Sequence, residues 1–144
     1  MISCRQPLIF LQEAEEIRVN YDDRERLRDF VTEEWTCEAD VVIYLPRDQL
    51  IAWDEINTYK DALNIIIAVE DTAQIEIAKD QGYKVFWAYP VSSFWELRSI
   101  LLFGVNQVLL DAPLYFDLPK VKNICGEDVE LRLVVNKCYN DYLP

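Results

Sequence analysis

The sequence predicts an α/β fold: successive strand–helix–strand units around a mostly parallel sheet of about six strands. Three observations carry this reading. Short strand-like runs rich in β-branched and aromatic residues start at positions 41, 65, 85, 107 and 130. Those starts are too far apart for hairpins and suit crossovers through a helix. The runs mostly do not alternate polar with apolar residues, which is the habit of strands buried on both faces. Finally, the three glycines, Gly82, Gly104 and Gly126, recur every 22 residues, each behind a helix-like stretch and shortly before an apolar run. At such points a left-handed residue stops a helix and releases the chain into a strand.

Leu8–Leu11 and Glu16–Tyr21 read as two short extended segments that could pair as an N-terminal hairpin, although no Asn-Gly or Asp-Gly turn joins them. Asp22 is positioned as an N-cap, with Glu25 at the capping-box position, for a helix from about Asp23 to Trp35 that lays Leu27, Phe30 and Val31 on the core. Val41–Leu45 is a strand ended by Pro46, and Asp48 then caps a helix carrying Leu50, Trp53, Ile56, Tyr59 and Leu63. Ile65–Val69 is the next strand, followed by Thr72 as cap and a helix through Ile75 and Ala78 to Gly82. Val85–Tyr89 follows as a strand, with Ser92 or Ser93 capping a helix through Leu97 and Ile100 to Gly104. Gln107–Leu110 is a strand, Leu118–Ile124 a helix that tolerates Pro119 in its first turn, and Glu130–Val135 the last strand.

Two architectures satisfy this order, an open sheet with helices on both faces and an incomplete (βα) barrel. A closed eight-stranded barrel takes about 250 residues, more than the 144 here. The segment from Gly104 to Leu118, G-V-N-Q-V-L-L-D-A-P-L-Y-F-D-L, resembles the late strand-and-loop of (βα)-barrel proteins and is similar to bacteriophage proteins built on that pattern. The resemblance implies a TIM-barrel-like scaffold and a viral origin, and it carries over no catalytic residue. The chain ends soon after a strand, so a fragment of a longer protein or a domain completed by a partner is expected.

Length and composition bound the rest. A chain of 144 residues with 51% hydrophobic content is one ordinary domain with a real core. It shows no apolar run of the roughly 20 residues that span a bilayer. A soluble, cytoplasmic or virion-associated protein without membrane contact is the expectation. Cys4, Cys37, Cys125 and Cys138 lack metal-ligand spacing and read as free thiols. The net charge of −12 is uneven: residues 1–72 hold 17 acidic and 7 basic side chains, and residues 73–144 hold 9 and 7. Direct nucleic-acid binding is disfavoured, because neutralising phosphates needs clustered Lys and Arg.

The strongest chemical statement is an absence: the chain has no histidine. Ser-His-Asp and Cys-His catalysis, most catalytic zinc sites and imidazole acid–base chemistry are thereby excluded. With the glycines taken as helix stops, none remains for a phosphate-cradling loop. Whether the chain is an enzyme stays open, through carboxylates, Lys or Tyr.

Ligand sites in parallel α/β folds form at the carboxyl ends of strands. Here those positions hold Asp22, Asp23, Arg47, Asp48, Glu70, Asp71, Tyr89, Asp111, Asn136 and Lys137. Glu70, Asp71 and Asp111 form a candidate Mg²⁺ site, with Lys137 or Arg47 holding an anionic group for hydrolysis; water exposure and helix capping explain the same residues without a metal. Phe94 and Trp95 in one loop, with Tyr115 and Phe116 in the next, form a candidate aromatic anchor for a protein partner, and core packing is the structural alternative. The leading expectation is a non-enzymatic structural or interaction domain of a larger, phage-type assembly, with no cofactor. A divalent-metal hydrolase is second. An acidic nucleic-acid mimic is third, resting on the 11 acidic and 4 basic residues within 13–40.

Overall fold

The computed structural model describes residues 2–3, 16–32 and 39–134. Within β1–β4 and within β5–β7 the strands pair in chain order, and every described pairing is parallel. The α/β class read from strand spacing is therefore the observed one. The chain divides into two compact units, residues 1–84 and 85–144.

In the first unit, β1 (Ile2–Ser3), β2 (Glu16–Asn20), β3 (Asp40–Tyr44) and β4 (Asn64–Val69) lie side by side. Their register aligns Ile17 with Val41 and Ile65, and Val19 with Ile43 and Ile67. Val41–Ile43 and Ile65–Val69 are buried without alternation, as expected of strands covered on both faces. The expected N-terminal hairpin is corrected: β2 has a parallel neighbour on each side, so neither edge is left for an antiparallel partner. Leu8–Leu11 itself lies outside the described residues.

Three helix starts also depart from expectation. A 3₁₀ turn (Tyr21–Asp23) precedes α1 (Arg26–Thr32), so Asp22 caps nothing as foreseen and the helix starts later. This short helix buries Leu27 and Phe30, one turn apart, and leaves Val31 36% exposed. Asp48 caps no helix either. The next one, α2 (Trp53–Asn57), begins five residues on, and Leu50 is 98% exposed. The reason is non-local: the Ala52 amide donates to the Tyr21 hydroxyl at 2.7 Å, satisfying a helix-start N–H that no neighbouring side chain serves. For α3 (Thr72–Asp80) the cap is Asp71 rather than Thr72, its carboxylate accepting from the Ala73 amide at 2.9 Å.

The end of α3 shows why glycine is needed. The Gly82 amide donates to Lys79 O and the Tyr83 amide to Ala78 O, a paired closure of the last turn that requires φ > 0 at Gly82, observed at +87°. Tyr83 then stacks on Trp53 at 5.9 Å and donates its hydroxyl to Asn57 Oδ1 at 2.5 Å. Lys60 closes the same corner, donating to Gln81 O and lying 4.8 Å over the Tyr83 ring. Burial pushes the Tyr83 phenol up to about 12.

The second unit holds β5 (Lys84–Val91), α4 (Phe94–Leu101), β6 (Gln107–Leu110), a 3₁₀ turn (Ala112–Asp117), α5 (Leu118–Cys125) and β7 (Glu130–Leu133). β5 runs two residues past its expected end through Pro90, and its register with β6 shifts between Trp87 and Val91. Such an irregularity is where a sheet tolerates proline. Ser93 caps α4 by accepting from the Glu96 amide at 3.1 Å, while Glu96 accepts from the Ser92 amide at 3.1 Å. Gln107 is buried yet satisfied: its amide nitrogen donates to Glu130 at 2.7 Å and its oxygen accepts from Arg132 at 2.9 Å. Pro119 sits in the first turn of α5, as read from the sequence, and Asp117 caps that helix. Val135, the expected end of the last strand, lies outside the described residues.

Candidate functional site

Parallel strands deliver their loops to one edge, so each unit has a carboxyl-end surface to examine. In the first unit the ends of β2, β3 and β4 enclose a shallow cleft of about 290 Å³, lined among others by Asn20, Asp22, Asp23, Tyr44, Pro46 and Glu70. Two expected strand-end acids, Asp22 and Asp23, thus come together with a third, Glu70. Glu70 is engaged: Arg47 lies 3.6 Å from its carboxylate and donates to its backbone carbonyl at 3.2 Å. Behind Pro46, the Gln74 amide nitrogen donates to the Pro46 carbonyl at 2.7 Å, and Gln74 Oε1 is buried without a hydrogen-bond partner among the described residues. A larger pocket of about 440 Å³ lies near α1 and α2. There Arg24 bonds Glu55 at 2.5 Å and lies 4.4 Å over the Tyr21 ring. The hydrogen bond to Glu55 holds the guanidinium pKa above its ordinary value.

The carboxylates expected to hold Mg²⁺ have structural work. Asp71 caps α3, Glu70 pairs with Arg47, and in the second unit Asp111 caps the 3₁₀ turn by accepting from the Ala112 amide at 2.8 Å. Among the described residues no group of three or more His, Cys, Asp or Glu side chains is arranged to hold a metal ion. Lys137 and Asn136 lie outside the described residues. Cys125 is buried, and burial pushes its thiol up, away from the thiolate that reacts.

The aromatic residues of the second unit form a different surface. Phe94 and Trp95 open α4, and Phe116 closes the 3₁₀ turn after β6. Phe94 and Phe116 meet edge to face with ring centroids 6.4 Å apart. Lys120, on the first turn of α5, places its ammonium 4.2 Å over the Phe94 ring. Trp95 is 76% exposed and Phe116 81% exposed, so core packing accounts for neither. Tyr115 has turned inward instead: its hydroxyl donates between the carbonyls of Leu110, at 3.0 Å, and Val134. Burial, with the nearby Asp111 carboxylate second, pushes this phenol pKa up. The sequence grouped Tyr115 with Phe116 as one patch, and the structure separates them into a strand clamp and an exposed ring. It adds Lys120, which the sequence analysis did not single out.

Comparison with family models, curated proteins and solved structures finds no match to this chain. Among the described residues no helix is long and apolar enough to cross a membrane.

Proposed function

We propose that this chain is a protein-interaction domain that docks a partner on the aromatic surface of its second unit. One observation carries the reading: Trp95 and Phe116 are almost fully exposed beside the Phe94–Lys120 pair. Large exposed aromatic residues cost solubility when they do nothing, and they are the side chains that dominate protein interfaces. Glu96 and Asp117 each accept a backbone amide at a helix start, and Lys120 sets an ammonium beside the exposed rings. The chemistry that fits is a segment with aromatic or aliphatic anchors flanked by a carboxylate.

Selection of a displayed peptide library on the immobilised chain tests this. Sequences with an apolar anchor and an acidic neighbour should be enriched. The double substitution Trp95→Ser/Phe116→Ser should weaken their binding by about thirtyfold or more, the loss that removing an interface anchor brings. Enrichment of no sequence, or equal binding to the substituted chain, would overturn the reading.

A further inference from the structure

We infer that the partner of the aromatic surface is an acidic amphipathic helix lying along α4, with two apolar anchors two turns apart and carboxylates between them. This rests on the docking reading and adds the partner's shape and charge to it. Leu97 and Ile100 are buried and fix the inward side of α4. The outward side of a surface helix ordinarily carries polar residues. Here Trp95, Arg98 and Leu102 recur at i, i+3 and i+7, spacings that share one helix face, and all three are exposed. Leu102 is 88% exposed and keeps helical backbone angles, so the stripe continues past Leu101 without a break. The outward face of α4 is therefore apolar at both ends, with a guanidinium between them.

Spacing and charge select the occupant. At a rise of ~1.5 Å per residue, Trp95 and Leu102 stand about 10.5 Å apart along the helix axis. A partner helix repeats one face at that distance, with anchors at i and i+7. An extended segment does not, because its same-face side chains recur at roughly 6.8 Å and 13.6 Å. Arg98 lies between the anchors, and Lys120 lies over Phe94, the chain neighbour of Trp95, so acidic residues on the partner are complementary. Glu96, the one acid of α4, already accepts from the Ser92 amide. Residues 85–144 hold only −2 of the net −12, so this unit does little to repel an acidic helix. A second copy fits less well. A twofold pair that sets Trp95 of one copy against Leu102 of the other centres between Arg98 and Ser99, which brings two Arg98 guanidiniums together.

Selection on the full chain from a library displayed on a helical scaffold, with one face randomised, tests the helix. Enriched sequences should carry large apolar residues at i and i+7 and Asp or Glu at i+3 or i+4. With a labelled peptide of the enriched sequence, followed by fluorescence anisotropy, Leu102→Ser and Arg98→Glu should each weaken binding by about tenfold or more. Replacing the acids of the peptide by Lys should restore its binding to the Arg98→Glu chain, a recovery that a misfolded variant could not give. The helix is overturned by no enrichment from the helical library, by enriched sequences without the i, i+7 spacing, by binding indifferent to Leu102→Ser, or by no recovery with the Lys peptide. A dimer that Leu102→Ser dissociates, seen by light scattering, would assign the stripe to a second copy instead. The docking reading survives each of these results if peptides from an unstructured library still bind and lose binding with Trp95→Ser.

Discussion

The two units share a construction and differ in what they show to solvent. Residues 1–84 carry 19 acidic and 9 basic side chains, a net charge of −10, whereas residues 85–144 carry 7 and 5, a net of −2. In the first unit cations lie over aromatic rings and against acids: Arg18 on Tyr44, Arg24 on Tyr21 and Glu55, Lys60 on Tyr83, Arg47 on Glu70. Its exposed large apolar residues, among those described, are aliphatic: Val31, Leu50 and Ile77. The second unit exposes Leu102 and Leu133 too, but adds the aromatic Tyr89, Trp95, Phe103 and Phe116. A charged surface keeps a domain dispersed in water, and an aromatic one gives a partner something to hold. The same strand–helix repeat thus carries two surfaces of different composition.

The largest test of the shared construction is in the cores. Phe30 and Phe86 are both fully buried, one in each unit. Truncation of either to Ala should cost about 3–5 kcal/mol in urea unfolding. Phe86→Ala should be the more costly, because the Arg132 guanidinium sits 4.6 Å over its ring and would lose that platform. A cost below about 1 kcal/mol at either position would show that the corresponding core is not packed as described.

Alkaline pH should separate the units next. The folded Tyr83 phenol is raised to about 12 from an ordinary 10. A raised pKa means that the unfolded chain releases this proton first as pH climbs. The stabilisation is complete below about pH 10 and is lost as pH rises toward about 12, roughly 2 kcal/mol in all. Tyr83→Phe should flatten this part of the pH profile, followed by Trp53 fluorescence. An equally steep profile in the variant would assign the loss to other groups, Tyr115 first, since its pKa is also raised.

Gly82 offers a smaller and more local effect. Gly82→Ala puts a side chain at φ +87° and a Cβ 2.5 Å from Lys60 Nζ. We expect a loss of about 1–2 kcal/mol, mostly from the backbone, because the Lys60 side chain can move aside. In a Lys60→Ala background the loss should shrink only slightly. A near-complete rescue would instead make the clash with Lys60 the dominant cost.

How much of this was legible beforehand depends on the range of each interaction. Val41–Leu45, Ile65–Val69 and Gln107–Leu110 were readable because burial on both faces leaves an apolar run in the sequence itself. A serine cap at 92 or 93, which the structure resolves to Ser93, and Pro119 were readable because capping and first-turn proline are settled within a few residues. The start of α2 was not, since the group satisfying its first amide is Tyr21, 31 residues away. Likewise, nothing local tells that Tyr115 turns inward to clamp β6 and β7 while Phe116 points out. The carboxylates Glu70, Asp71 and Asp111 were found at strand ends as expected, but their hydrogen bonds to caps and to Arg47 are geometric facts that residue type alone does not contain.

The smallest expected effect on stability bears most directly on the contrast between the units. Trp95 is 76% exposed, so Trp95→Ser should change the unfolding free energy by no more than about 0.5 kcal/mol. Arg24→Ala in the first unit should also cost less than about 1 kcal/mol, because its pair with Glu55 is partly exposed and screened by salt. The two substitutions are thus close in stability and opposite in consequence. Arg24→Ala should leave peptide binding to the second unit intact, and Trp95→Ser should remove most of it. If Trp95→Ser instead destabilised the fold by several kcal/mol, its ring would be covered by the protein itself. The exposed aromatic surface would then be a seam within the unit rather than a site for a partner.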